Sequence, residues 1–131
     1  MGRTVDDLGV TLGERYVAAL ASKDTEALKR LVSPDITLRG LTPGRSWEAH
    51  GPDEVADVLF GNWFEDSDHI ESLLSIESGR VEDRYRVSYR LAVNNQRGSH
   101  LVEQQAYYDV VDSRIAEMSI LCSGFRPTGS S

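Results

Sequence analysis

The sequence predicts an α+β fold in which helices come first and a mainly antiparallel sheet follows. Over residues 11–32 and 52–63, apolar side chains recur every three or four positions, which is the period of one helix face. Beyond Asp68 they alternate with polar side chains over long stretches, which is the period of one sheet face. Because those stretches follow one another without an intervening helix, we expect the strands to pair antiparallel.

Size and composition are those of one ordinary soluble domain. The chain has 131 residues, of which 40% are hydrophobic and 27% charged. We expect a single domain over residues 1–131, with a loose lead-in over residues 1–10 and a frayed tail over residues 126–131. No apolar run approaches the roughly 18 residues of a membrane helix, and no signal-peptide core follows Arg3. A cytoplasmic location is therefore the default expectation.

Charge and cysteine content disfavour several kinds of partner. The formal net charge of −7 repels polyphosphate, so we expect neither nucleic acid nor a membrane as a partner. The lone Cys122 excludes an intramolecular disulfide, and no spacing of cysteines and histidines suggests zinc. The sequence therefore gives no reason to expect a metal or an organic cofactor.

Two short helices are predicted at the start of the chain. The apolar stripe of the first begins near Thr11 and consists of Leu12, Tyr16, Ala19 and Leu20. After a break, Asp24 or Thr25 is expected to cap the second helix. That helix should end before Pro34, because the residue preceding a proline avoids the helical region.

A short strand, a loop and a third helix are predicted next. The strand covers residues 35–41, and the turn-forming residues of "TPGRSWEAHG" predict a loop over residues 42–51. Pro52, followed by two acidic residues, is a good helix start. The inward face of this helix should consist of Val55, Val58, Leu59 and either Asn62 or Trp63.

Four further strands are expected over residues 70–77, 81–93, 99–111 and 115–122. If Gln96-Arg97 is the turn between the middle two, Arg90 lies opposite Glu103 and Arg84 lies opposite Asp109 on one face. The arginines of this hairpin are therefore interpreted as a paired sheet surface and not as a phosphate-binding stripe.

The opposite face of the same hairpin is apolar except for Gln104, which lies near Tyr85, Tyr89 and Tyr108. Buried polar groups need hydrogen-bond partners. Either these side chains bond to one another in a closed core, or they line a cavity in which a ligand or water satisfies them. The strand pattern leaves both alternatives open.

Three segments, in this order and spacing, resemble the nuclear transport factor 2-like superfamily, and within it the branch of ketosteroid isomerases and SnoaL-like, polyketide cyclase-like proteins. The segments are "RYVAALASKDTEALKRLVSPDITL" (15–38), "HGPDEV" (50–55) and "YYDVVDSRIAEM" (107–118). The resemblance implies a cone-shaped, cystatin-like roll with two short N-terminal helices and a curved sheet wrapped around a long third helix. It also implies a pocket open at one end and a homodimer formed through the outer sheet face.

The resemblance assigns Tyr16 as the candidate catalytic residue, since it matches the tyrosine that ketosteroid isomerases use as an oxyanion donor. Their general base falls at Gly40 here, and their second acidic donor falls at or beside Ala106-Tyr107, so both acids are missing. Steroid isomerase activity is therefore not expected. The candidate lining of the ligand pocket consists of Leu59, Trp63, Tyr89, Gln104, Tyr108 and Met118.

The remaining candidates are ambiguous. His50, His69 and His100 are interpreted as surface or cap residues and not as bases. Trp47 either covers the pocket mouth or contacts a second subunit, and Trp63 belongs to the core or to a pocket wall. The sequence is thus compatible with a cofactor-independent isomerase, cyclase or dehydratase acting on a small hydrophobic molecule. It is also compatible with a non-catalytic module that binds a small molecule or associates with protein, which the two missing acids favour, while the tyrosine-rich inward face favours some ligand.

Overall fold

The structure, a computed structural model, describes the backbone of residues 5–128 and the side chains of residues 8–128. Its helices are α1 (Val5–Ala21), α2 (Thr25–Leu31) and α3 (Gly51–Ala56), the last continuing as a π-helical segment (Asp57–Trp63). Its strands are β1 (Val32–Thr42), β2 (Arg45–His50), β3 (His69–Val81), β4 (Arg84–Asn95), β5 (Gly98–Val111), β6 (Arg114–Cys122) and β7 (Arg126–Pro127).

One curved sheet contains all the described strands, in the order β2-β1-β6-β5-β4-β3, with β7 paired to β5. Every pairing is antiparallel except that of β1 with β6. The helices and the inward face of the sheet enclose the hydrophobic core. The predicted α+β class with a mainly antiparallel sheet is confirmed.

The register predicted for the β4–β5 hairpin is confirmed. Tyr85 pairs with Tyr108 and Arg90 with Glu103, and the turn is Gln96-Arg97. On the outer face the Arg84 Nε lies 3.1 Å from Asp109 Oδ1, and the Arg90 Nε lies 3.3 Å from Glu103 Oε2. These arginines therefore meet acids on the neighbouring strand, as the charge pattern predicts.

Both chain ends are more regular than expected. Helix α1 begins at Val5, so the prediction of a loose lead-in is wrong for residues 5–10. Residues 1–4 of that lead-in lie outside the described residues. The prediction of a frayed tail is wrong for Arg126–Pro127, which pair with Leu101 and His100 of β5. Residues 129–131 also lie outside the described part of the chain.

The predicted loop over residues 42–51 is wrong over Arg45–His50, which form β2. The turn needs only Pro43 and Gly44, whose positive φ of 77° suits glycine. Beyond the turn, Ala49 faces the core and is buried. A run rich in turn-forming residues therefore contains a tight hairpin and an edge strand.

The second helix ends before Pro34 as predicted, and the Asp24 carboxylate caps its start by accepting a hydrogen bond from the Ala27 N–H at 3.1 Å. The third helix starts as predicted, with Pro52 in its first turn. A long regular third helix is not confirmed, because α3 has six residues and then widens into the seven-residue π-helical segment. Trp63 ends that segment with its side chain buried.

Candidate functional site

Four side chains form one hydrogen-bonded chain between helix α1 and the inward face of the sheet, here called the interior cluster: Tyr16, Tyr89, Gln104 and Cys122. The Tyr16 and Tyr89 hydroxyl oxygens lie 3.0 Å apart, and the Tyr89 hydroxyl donates to Gln104 Oε1 at 2.6 Å. The Gln104 amide donates to the Cys122 Sγ at 3.2 Å. Since Tyr89 has a single hydroxyl hydrogen and gives it to Gln104, the Tyr16 hydroxyl must donate to Tyr89.

Burial makes both phenols of the interior cluster poor acids. Tyr16 and Tyr89 are each 1% exposed, and desolvation raises the pKa of each well above its ordinary value. The described residues place no carboxylate or imidazole in hydrogen-bond contact with either phenol. The only hydrogen that the Tyr16 hydroxyl could offer to a ligand is therefore already bonded inside the core.

The other predicted lining residues are also packed inside. Tyr108 stacks on Tyr85 with ring centroids 5.5 Å apart, and its hydroxyl donates to the Gly9 carbonyl at 2.7 Å. Burial likewise raises the pKa of Tyr108. Leu59 and Met118 are buried to 1% exposure or less. Of the two alternatives for this face, the structure has the closed core.

Gly40, at the position where the resemblance puts a general base, gives room to Trp63. A Cβ built on Gly40 would lie 2.6 Å from Trp63 Cη2, so the indole ring occupies the space beside this backbone. Ala106, at the second acidic position, is fully buried, while the Tyr107 hydroxyl donates to Gln105 Oε1. The buried polar or charged side chains of the described residues are Asp68, His100 and Gln104.

Two of these three side chains, Asp68 and His100, line a cavity of about 630 Å³ between the π-helical segment, the β4–β5 turn and the C-terminal strand, here called the end cavity. Three of its lining residues have aromatic rings: Trp63, His100 and Phe125. The rest are Asn62, Glu65, Ser67, Asp68, Asn95, Gln96, Arg97 and Pro127.

Asp68 forms hydrogen bonds to two segments at the rim of the end cavity. Its Oδ2 accepts a hydrogen bond from the Glu65 N–H at 3.0 Å, and its Oδ1 accepts one from the Asn95 side-chain amide at 2.9 Å. The Lys23 ammonium donates to the backbone carbonyls of Glu65 and Asp68. The Asp68 carboxylate therefore links the loop to the β4–β5 hairpin.

Trp63 and His100 are the unsatisfied members of the end cavity. They are 6% and 7% exposed, and neither Trp63 Nε1 nor His100 Nδ1 has a hydrogen-bond partner in the described part of the chain. The His100 ring packs edge-on against Phe125 with centroids 5.8 Å apart. A buried polar atom without a partner is rare, and it often marks a place that a ligand or water completes.

The interpretation of His100 as a surface residue is wrong, and the alternation of side chains along β5 already indicated an inward position. The predicted register pairs His100 with Val93, and His100 has the same parity along β5 as Val102 and Gln104. Alternation alone therefore turns its side chain toward the core. His50 and His69 are exposed, as expected.

Trp47 lies on the edge strand β2 and does not line the end cavity. Its ring meets Trp63 edge-on at 6.2 Å, and its Nε1–H donates to the Thr42 hydroxyl at 2.9 Å. Trp47 lines a separate depression of about 560 Å³, here called the outer groove, with outward-facing side chains of β1, β5 and β6. Those side chains are Arg39, Leu41, Tyr107, Ser119 and Leu121.

Comparison with known proteins identifies the family. The family model of the SnoaL-like domain matches residues 13–118. The chain therefore belongs to the SnoaL-like domain family, within the nuclear transport factor 2-like superfamily. No curated protein matches this chain.

Three solved structures illustrate the shared fold. A proposed isomerase from Bacillus subtilis superposes with a TM-score of 0.77 at 11% identity, covering 92% of this chain and 90% of that one. A proposed polyketide cyclase from Xanthomonas campestris gives 0.70 at 17%, covering 88% and 90%. A proposed ketosteroid isomerase from Kribbella flavida gives 0.62 at 12%, covering 95% and 84%. At such identities the likeness shows the fold alone.

Two negative findings apply to residues 5–128. None of the helices described there is long and apolar enough to cross a membrane. The same residues contain no group of three or more histidine, cysteine, aspartate or glutamate side chains that could hold a metal ion.

Proposed function

We propose that this chain binds a small organic molecule in the end cavity and that the interior cluster is structural core. The supporting observation is a contrast in hydrogen bonding. The interior cluster satisfies its own polar groups, whereas Trp63 and His100, which line the end cavity, each carry a buried nitrogen without a partner among the described residues. Each such nitrogen costs about 1–3 kcal/mol, so a ligand that bonds to it recovers free energy on binding.

The apolar pocket implied by the family resemblance is less well supported. A ligand entering the interior would have to separate Tyr16 from Tyr89 and leave Gln104 without its donor. Those contacts are buried, so breaking them carries the full cost of unsatisfied polar groups. The end cavity is open without breaking the interior cluster, and its volume of about 630 Å³ lies within the usual range for ligand sites.

Non-catalytic binding is the function that we propose first. The supporting observations are that the Tyr16 hydrogen is committed to Tyr89 and that neither acid of the isomerase pattern is present. A phenol that would stabilise an enolate needs a neighbouring base to form one.

A cofactor-independent isomerase, cyclase or dehydratase is the second candidate, and His100 favours it. An imidazole is the side chain best suited to transfer a proton near neutral pH. His100 lines the end cavity beside Trp63 and Phe125. In this candidate His100, and not Tyr16, exchanges the proton with the substrate.

Ligand screening by thermal shift, with two matched variants, tests the proposal. We expect hits to raise the melting temperature of the wild type and of Tyr16→Phe equally. The same hits should raise that of His100→Phe less, because this change keeps the ring and removes both nitrogens. Hits that lose their effect only in Tyr16→Phe would contradict the proposal and favour the interior site. Turnover of a hit that disappears in His100→Phe would favour the enzyme.

We also propose that the chain forms a homodimer through its outer sheet face. In support, Leu41 and Leu121 pair across β1 and β6 beside the outer groove, and they are 52% and 48% exposed. Adjacent exposed leucines are typical of an association surface.

Light scattering should give twice the monomer mass for the wild type, and Leu121→Asp should give the monomer mass because a charge there would be buried in the interface. Leu8→Asp on α1 is the control and should remain dimeric, since Leu8 is similarly exposed but lies away from the outer groove. A wild type that is monomeric at every concentration tested would refute the dimer.

A further inference from the structure

We infer that the ligand of the end cavity is an uncharged ring bearing several hydroxyl groups, as in a monosaccharide or a cyclitol. This inference rests on the small-molecule binding proposed above and adds the chemical class of the ligand. It departs from the hydrophobic molecule that the sequence predicts. Three properties of the end cavity carry it, namely its mixed lining, its unpartnered nitrogens and its balance of charge.

The lining combines aromatic rings with many hydrogen-bonding groups. Trp63, His100 and Phe125 offer ring surface to the apolar C–H face of a saturated ring. Around them are the side-chain amides of Asn62, Asn95 and Gln96, which donate and accept, and the carboxylates of Glu65 and Asp68, which accept. A purely apolar ligand would bury these polar groups without replacing their bonds to water, which costs affinity.

The two unpartnered nitrogens limit further the hydrogen-bonding groups that the ligand should carry. The Trp63 indole Nε1–H is a donor only, so it needs an acceptor. The Nδ1 of a neutral His100 ring either donates or accepts, according to the tautomer. A hydroxyl group accepts from the first and complements the second in either tautomer, whereas a ketone oxygen can only accept. A ring with neighbouring hydroxyl groups therefore carries the group that complements either nitrogen.

Charge around the end cavity gives no strong preference for a charged ligand, because the lining carries both signs. Glu65 and Asp68 repel an entering anion, and the exposed Arg97 guanidinium repels an entering cation. Asp68 accepts two hydrogen bonds from the protein, and its remaining lone pairs can accept from the hydroxyl groups of a ligand. The net charge of −7 adds a further long-range repulsion of anions.

The indole N–H signals of a ¹⁵N-labelled sample give the test, because the chain has two tryptophans in different bonding states. The Trp47 N–H already donates to Thr42, whereas that of Trp63 has no partner within residues 8–128. The probes are glucose, galactose and myo-inositol as polyols, cyclohexanone as a neutral ketone, and cyclohexanecarboxylate as an anion. Trp47→Phe and Trp63→Phe assign the two signals.

We expect at least one polyol to shift the Trp63 signal saturably and to leave the Trp47 signal in place. His100→Phe should weaken that polyol about tenfold through the loss of one hydrogen bond, and Tyr16→Phe should bind it as the wild type does. A response only to cyclohexanone or cyclohexanecarboxylate would overturn the polyol class and leave small-molecule binding at this cavity standing. If no probe moves the Trp63 signal, the polyol class is overturned, and if thermal-shift hits also depend on Tyr16, small-molecule binding in the end cavity fails as well.

Discussion

Replacing Gly13 with alanine is expected to lower the free energy of unfolding by about 3 kcal/mol, because the site is filled by a buried tyrosine. A Cβ at this position would lie 2.8 Å from Tyr108 Cζ and closer still to its hydroxyl oxygen. Tyr108 is fully buried, stacks on Tyr85 and donates to the Gly9 carbonyl one helical turn earlier. The added methyl group therefore displaces a ring that has nowhere to move and removes its hydrogen bond.

Urea denaturation measures this effect, and Gly61→Ala is the matched control. Gly61 is also in a helical segment, but a Cβ there meets nothing within 4 Å. The control should be neutral or slightly stabilising, since alanine is the better helix former. Equal stability of Gly13→Ala and the wild type would mean that α1 does not lie against Tyr108 as described.

Tyr89→Phe is expected to destabilise the protein by about 2–4 kcal/mol, although it removes a single oxygen. The Tyr89 hydroxyl occupies the middle of the interior cluster, where it accepts from Tyr16 and donates to Gln104. Its removal leaves two buried groups without partners, the Tyr16 hydroxyl and Gln104 Oε1. Both lie where water does not reach, since Tyr16 and Gln104 are each 1% exposed.

Tyr16→Phe is the matched comparison, because it removes a hydroxyl from the end of the same hydrogen-bonded chain. It removes the terminal hydroxyl and leaves the bond from Tyr89 to Gln104 intact, so we expect a loss of only about 1 kcal/mol. The double variant should lose less than the sum of the two, because the two hydroxyls are direct partners. If Tyr16→Phe proved as damaging as Tyr89→Phe, the assigned direction of the hydrogen-bonded chain would be wrong.

The hairpin shows why parts of this fold could be predicted from sequence. Two signals agree there: a turn at Gln96-Arg97, and opposite charges at positions that only one register brings together. A shift by an odd number of residues would turn Gln104 and the tyrosines outward, so the alternation opposes those registers, and the charge pairs oppose the even shifts.

Other elements depend on contacts that no local pattern reveals. The start of α1 contains Gly9, which lowers helix propensity, yet the tyrosines of the sheet pack against that glycine. Strand β2 is too short and too polar to be distinguished from a loop. The widening of α3 into a π-helical segment likewise has no local signal that we can identify.

In the candidate site, too, some features follow from the sequence and others depend on tertiary contacts. The inward placement of His100 follows from the register of β5, and Trp63 follows from the helical period, so both side chains were accessible to sequence reasoning. That the two side chains line one cavity could not be predicted from the sequence. The cavity forms only where Phe125, the loop held by Asp68 and the C-terminal strand come together. The closure of the interior cluster likewise depended on distances between α1, β4 and β5.

A crystal structure of the protein with a thermal-shift hit bound would show which of the two regions holds the ligand. We expect ligand density in the end cavity, in contact with Trp63 and His100, with the Tyr16–Tyr89 hydrogen bond unchanged from its 3.0 Å. Density between those two tyrosines, with their hydroxyls separated by the ligand, would refute binding in the end cavity and identify the interior as the binding site.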